Sequence, residues 1–233
     1  MFGLSQATYI DTILFRFSIY DSKKWFFPFR HGIALSKDQC AKTPDEIERM
    51  KAVPYASTVG SIMYAMFCTR PDICFVVDVD GRYQFNPKQE RWTVVKYILK
   101  YLKKTQDLML VYQVHSLVPL GYKDSDFQSD RDSKKSFSGY VFSLGDETIS
   151  WKIIKQSCID DSTMEAKYVA ASEVAKETVS LINFLMNLDV VPLVQSAITL
   201  YCDNSEAVTN SKELRTHNSR VQVSPDNIYC AKR

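Results

Sequence analysis

The chain has 233 residues, enough for one large domain or two small ones, and its 29 Lys and Arg against 27 Asp and Glu leave a formal net charge of +2. That balance neither requires nor rules out nucleic acid, which only local clustering of charge can indicate. Six scattered cysteines and three scattered histidines offer no disulfide framework or zinc-like grouping, the N-terminus lacks a secretory signal, and no apolar run spans a bilayer, so a soluble, non-secreted chain with no membrane partner is expected.

Tyr9, Ile10, Ile13, Leu14 and Phe17 follow helical spacing, with Ser5 as the expected N-cap. Residues 21–54 carry Pro28, Pro44 and Pro54 among mixed charges and read as a loop or an extended wrapping segment. Trp25, Phe26 and Phe27 within it read as packing residues. A helix is expected from Pro54-Tyr55 through Val59, Ile62 and Met66 to Arg70-Pro71, and a shorter one over Ile73 to Tyr83. The clearest helical stripe is Trp92, Val95, Ile98, Leu99 and Leu102, with Lys96, Lys100, Lys103 and Lys104 on the opposite side.

The texture changes near Leu117-Val118-Pro119, which sets the expected boundary at residue 116, with units 1–116 and 117–233. Val118 to Phe127 and Ser136 to Leu144 read as strands, and Gly145-Asp146 signals a turn into a third strand over Thr148 to Lys155. Ser162 or Thr163 caps a long helix through Tyr168, Val174, Ile182 and Leu185. Ile198 to Cys202 is a short strand and Asn204 to Lys212 a helix. Three strands, helix, strand, helix is the order of a mixed α/β sheet with helices on its faces.

Three acids stand at informative places in that order: Asp124 near a strand end, Glu165 in the first turn of a helix, and Asp203 at the end of another strand. Carboxylates brought together there would make a negative pocket suited to divalent cations and phosphate chemistry. Each also has a structural alternative. Asp124 is then a solvated edge acid in competition with Asp126, Glu165 closes a capping box or complements the helix dipole, and Asp203 caps the next helix.

The runs Gly121-Tyr122-Lys123-Asp124-Ser125-Asp126-Phe127, Lys134-Lys135-Ser136-Phe137-Ser138-Gly139-Tyr140, Ile149-Ser150-Trp151-Lys152, Asp161-Ser162-Thr163-Met164-Glu165-Ala166-Lys167-Tyr168 and Tyr201-Cys202-Asp203-Asn204 resemble the ribonuclease H domain of plant-like copia-type retrotransposon Pol polyproteins. Gly3-Leu4-Ser5-Gln6, Pro54-Tyr55-Ala56-Ser57-Thr58-Val59-Gly60-Ser61, Thr69-Arg70-Pro71-Asp72-Ile73 and Arg82-Tyr83-Gln84-Phe85-Asn86-Pro87 resemble the tail of the reverse transcriptase in the same polyproteins. The likeness runs through about Ser219. It implies a ribonuclease H-like mixed five-stranded sheet over 117–233, preceded by a mostly helical, thumb- or connection-like segment over 1–116.

The implied activity is hydrolysis of the RNA strand of an RNA–DNA hybrid by two magnesium ions, with manganese as a substitute. Asp124, Glu165 and Asp203 match the family's metal-binding acids. Implied partners are the hybrid and the polyprotein's other segments, the reverse transcriptase palm and integrase. The implied location is the cytoplasm, in a virus-like particle, or the nucleus.

Departures from the family pattern accompany the likeness. The polymerase signature would precede Gly3, so neither the palm nor reverse transcriptase activity is expected in these residues; Val77-Asp78-Val79-Asp80 belongs to a later, helical segment. Lys167 replaces a second, non-catalytic glutamate, and Phe137 a threonine. After about Ser219 the chain diverges, with the last helix expected to be incomplete. The fourth acid has no aligned counterpart there, Asp226 being the nearest substitute. Lys96, Lys100, Lys103, Lys134 and Lys135 are candidate phosphate contacts, or else solvated faces; Gln156, Asn204 and Ser205 are candidate contacts to the hybrid. The alternative to an active nuclease is a catalytically inactive remnant that binds hybrid or is purely structural.

Overall fold

Apolar residues recurring every three to four positions build the first half of the molecule, and residues alternating with period two build the second. A computed structural model describes residues 1–29, 36–113, 118–145, 147–188 and 198–202, together with the backbone of 228–231. The chain divides into two compact units, Phe2–Val111 and Tyr112–Arg233 with Met1. Asp203, Asn204, Ser205, Asp226 and the helix expected over Asn204 to Lys212 lie outside the described residues.

In the first unit β1 (Phe2–Ser5) pairs with β2 (Met109–Tyr112) in a two-stranded sheet. Ser5 thus belongs to a strand, and Gln6 is the N-cap of α1 (Ala7–Arg16) in its place. The stretch read as loop contains α2 (Pro44–Lys51), because Pro44 stands at the helix's first turn behind a Thr43–Glu46 capping box. The Lys42 backbone N–H and the Lys88 ammonium (3.0 Å), joined by the Thr43 N–H, hold the Glu46 carboxyl down to about 2. The helices α3 (Tyr55–Thr69), α4 (Cys74–Gly81) and α5 (Gln89–Lys104) follow. Their inward faces, Val59, Ile62 and Met66, Val76 and Val77, and Val95, Ile98, Leu99 and Leu102, are buried.

Charge is buried here too. Arg91, fully enclosed, donates to Asp80 Oδ1 (3.0 Å) and the Ser36 carbonyl (2.7 Å). Its guanidinium lies 3.7 Å from the centre of the Tyr83 ring, and the Tyr55 hydroxyl donates to Asp80 Oδ2 (2.7 Å). Burial pushes the Asp80 carboxyl up, against the lowering influence of Tyr55 and Arg91. Asp78 pairs with Arg82, the C-cap of the same helix. Both acids of Val77-Asp78-Val79-Asp80 are therefore engaged in holding α4.

The second unit is a five-stranded sheet in the order β5-β4-β3-β6-β7. β3 (Pro119–Asp126), β4 (Phe137–Leu144) and β5 (Glu147–Lys155) are successive antiparallel strands, while β6 (Ile198–Tyr201) and β7 (Ile228–Ala231) are parallel to β3. This is the ribonuclease H-like mixed sheet. Its fifth strand comes from Ile228–Ala231, in the region read only as a diverged tail. Gly145, at φ 66°, leads out of β4 in a backbone region open to glycine.

Between β5 and β6, α6 (Thr163–Asn187) packs on β3 and β4. Ser162 caps it by accepting from Glu165 N–H (3.1 Å), and Ala166, Ala170, Val174, Thr178, Ile182 and Leu185 form its buried stripe. Of these, Val174, Ile182 and Leu185 join Tyr140, Phe142, Ile198 and Leu200 in the core. Gly121 permits this packing: a Cβ there would come 2.3 Å from Leu200 and 2.8 Å from Phe142.

Candidate metal and nucleic-acid site

Along β3 the side chains alternate, Gly121, Lys123 and Ser125 buried and Asp124 and Asp126 exposed. Asp124 presents a carboxylate that is 77 % exposed, with Oδ1 also accepting from Ser125 N–H (2.7 Å). The Lys123 ammonium turns the other way and donates to the Lys167 carbonyl in α6 (2.6 Å). Lys167 Nζ stands 3.9 Å from Asp124 Oδ1. That approach sets the Lys167 turn of α6 beside the Asp124 end of β3.

Glu165 is exposed, and its Oε2 accepts from Asp161 N–H (2.8 Å). It thus braces the chain just ahead of the N-cap Ser162, at Asp161, and not at the N-cap N–H where a capping box would close. As donors, two exposed carboxylates are the hard oxygen ligands magnesium prefers, so Asp124 and Glu165 fit such an ion chemically. Among the described residues no group of three or more His, Cys, Asp or Glu is placed to hold a metal, and Asp203 is outside them.

Behind these acids lies a polar cluster. Asp160, fully buried, accepts from the Ser136 hydroxyl. Asp130, also buried, pairs with Lys155 and accepts from the Ser133 hydroxyl and N–H. Gln156, 1 % exposed, donates to Ser138 Oγ (2.9 Å) and the Ala166 carbonyl (2.8 Å). A buried amide that ties β4 to α6 is a structural brace, and the expectation that Gln156 contacts nucleic acid is corrected on that ground.

The basic candidates divide. Lys134 is exposed in a left-handed turn, and Lys96 and Lys100 are half-buried, Lys100 lying over the Tyr97 ring. Lys103 donates to the Tyr20 and Ser22 carbonyls and Lys135 to the Ser157 carbonyl, so both ammoniums anchor backbone. Phe26 and Phe27, read as packing residues, are 70 % and 66 % exposed.

No family model matches the chain. Over 214 residues, 92 % of its length, it is 41 % identical to the retrovirus-related Pol polyprotein from transposon TNT 1-94 of Nicotiana tabacum, covering 16 % of that protein. It is 30 % identical over 202 residues to the Pol polyprotein from transposon RE2 of Arabidopsis thaliana, covering 13 % of it. The chain belongs to the retrovirus-related Pol polyproteins of transposons. It corresponds to a segment about a sixth the length of the tobacco polyprotein.

A much shorter relative, secreted RxLR effector protein 161 of Plasmopara viticola, is 40 % identical over 133 residues, 57 % of this chain and 94 % of that one. The solved foamy viral protease–reverse transcriptase in complex with double-stranded DNA aligns with a TM-score of 0.48 at 9 % identity, over 83 % of this chain and 42 % of that one. Among the described residues, no helix of this Pol segment is long and apolar enough to cross a membrane.

The feature that sequence reasoning undervalued is Lys167. In the sequence it stands only as a replacement for a glutamate, although a lysine two positions after a candidate ligand, early in a helix, is itself a charge signal.

Proposed function

We propose that the sheet-bearing unit of this Pol segment is a metal-dependent nuclease module that hydrolyses the RNA strand of an RNA–DNA hybrid. The observation that carries the reading is the exposed Asp124 carboxylate at the end of β3, with the first turns of α6 against it. The register adds support: Tyr122 of β3 pairs with Tyr201 of β6, and each stands two residues ahead of an acid in the sequence, Asp124 and Asp203.

In this reading Asp124, Glu165 and Asp203 hold two magnesium ions, with Asp126 and Asp226 as lesser candidates. The ions, when bound, lower the pKa of the attacking water and stabilise the leaving oxygen. The chain's own part is to fix the acids on rigid elements: β3 holds Asp124 through its ladder to β4, and Ser162 fixes the turn bearing Glu165. Lys96, Lys100 and Lys134 supply phosphate contacts. The remaining Pol segments, palm and integrase, are its natural partners.

The test is cleavage of a labelled RNA–DNA hybrid in magnesium or manganese by the chain and by Asp124→Asn and Asp203→Asn. Cleavage by the wild type, lost in both variants, is expected. No cleavage by any of the three would overturn the reading. Manganese is expected to give more activity than magnesium, since it tolerates imperfect geometry; equal rates would count against a weakened second ion site.

A second reading, a non-catalytic remnant or binding module, is favoured by two observations. An ammonium stands beside Asp124, and a short relative made almost wholly of the matching sequence bears the name of an effector. In that case hybrid binding survives in the Asp124→Asn variant and no cleavage is seen.

A further inference from the structure

The side chain of Lys167 is only 13 % exposed, although its ammonium stands 3.9 Å from a carboxylate that is 77 % exposed. Its backbone is pinned as well, because the carbonyl of the same residue accepts from the buried Lys123 ammonium (2.6 Å). The stem is therefore packed, and the charge is not free to drift into solvent as that of an ordinary surface lysine does. Asp124 sits within the reach of a resident positive charge supplied by the first turns of α6.

We propose that Lys167 is a built-in counter-ion for Asp124, which occupies electrostatically the place where a divalent cation would bind and so lowers this site's affinity for one. The inference rests on the reading of Asp124 as a cation ligand. An ion held at about 2.1 Å from the carboxylate oxygen would lie within a few ångströms of Nζ. Repulsion between charges of +2 and +1 at about 4 Å, even screened as in water, is worth roughly a factor of thirty in affinity. Lys167 then acts as a positioning and tuning residue: it favours a transiently loaded site and an enhanced demand for cation concentration.

The test is the binding of Mn2+ alone to the full chain, read by electron paramagnetic resonance without any hybrid. Lys167→Met is expected to bind Mn2+ roughly ten- to thirtyfold more tightly than the wild type, with Lys167→Gln as its polar equivalent should the methionine variant fold poorly. Lys167→Arg, which keeps the charge, is expected to bind as the wild type does. Adding Asp124→Asn to Lys167→Met is expected to abolish the gain. Equal Mn2+ affinity in wild type and Lys167→Met, with binding still lost on Asp124→Asn, would overturn the counter-ion role and leave Asp124 a ligand. A gain that survives Asp124→Asn would overturn it too. Mn2+ binding by none of the proteins would overturn the metal reading itself, and the counter-ion role with it.

Discussion

The two units differ in how they hold the acids that their motifs single out. In the helical unit, Arg91 and Asp80 are sealed between α4 and α5, and a buried Arg70 forks onto Asp72, which also accepts from Tyr101 (2.6 Å). In the sheet unit Asp124, Asp126 and Glu165 are held out in solvent while the apolar side of α6 seals the core. Charge that is buried and paired specifies a scaffold, whereas charge left exposed at a strand end can meet a ligand. Under the proposed function, the exposed acids of the second unit are the ones that meet the metal, while the sealed acids of the first hold its helices.

The sharpest way to break that contrast is to remove one charge from each unit. Arg91→Met strands Asp80 in the interior and is expected to cost about 3–5 kcal/mol, read as a large drop in the thermal midpoint of the helical unit. Asp124→Asn is expected to change stability by less than about 0.5 kcal/mol, since the side chain is mostly in solvent, its approach to Lys167 is long, and an amide oxygen still accepts from Ser125 N–H. A comparable loss from both would erase the distinction. Next in size is Gly121→Ala, whose new methyl meets Leu200 and Phe142. It is expected to cost about 1–3 kcal/mol through overpacking, measured by urea denaturation followed at the sheet.

Much of this architecture is legible in the sequence, because period and turn chemistry are local. The stripe of α5 and the capped start of α6 lie where the pattern puts them. What escaped was non-local. Phe2–Ser5 becomes a strand only through Met109–Tyr112, more than a hundred residues on, and Ile228–Ala231 only through β6. Pro44 read as a breaker because its partnership with Thr43 turns on cap geometry and not on hydrophobicity. At the site, Asp124 and Glu165 were named from motif and element order, but the Lys167 ammonium beside Asp124 follows from how α6 lies on β3, which no local pattern encodes.

Within the sheet unit the contrast can be sharpened by pH, because the buried Asp130 and the half-buried Glu173 are shifted in opposite directions. Burial opposes ionisation of Asp130, but the hydrogen bonds from Lys155 and Ser133 outweigh it and hold the carboxyl below the usual aspartate value. Its stabilisation is therefore complete above about pH 4 and is lost as pH falls through the lowered value. Asp130→Asn is expected to cost about 1–2 kcal/mol at pH 7 and much less near pH 2, read from denaturation midpoints at the two pH values.

Glu173 of α6 runs the other way and carries the smallest effect. Burial raises its carboxyl above 4.5, with the charge of Asp160 adding to the rise and Ser138, Lys176 and Lys152 opposing it. One of its oxygens, Oε2, is buried without a hydrogen-bond partner. Between 4.5 and the raised value the folded protein binds more protons than the unfolded chain, so stability falls as pH rises through that window and stays lower above it. Glu173→Gln removes the penalty and keeps the shape. It is expected to gain about 0.5–1 kcal/mol at neutral pH, a figure reduced for the solvent that reaches a half-buried group, and to lose none near pH 4. Hydrogen exchange of the β4 amides, measured at both pH values, separates this from a general stabilisation. Slower exchange at pH 4 as well would mean that Glu173 acts through packing, and that the sheet unit, like the helical one, spends its hidden charge on structure.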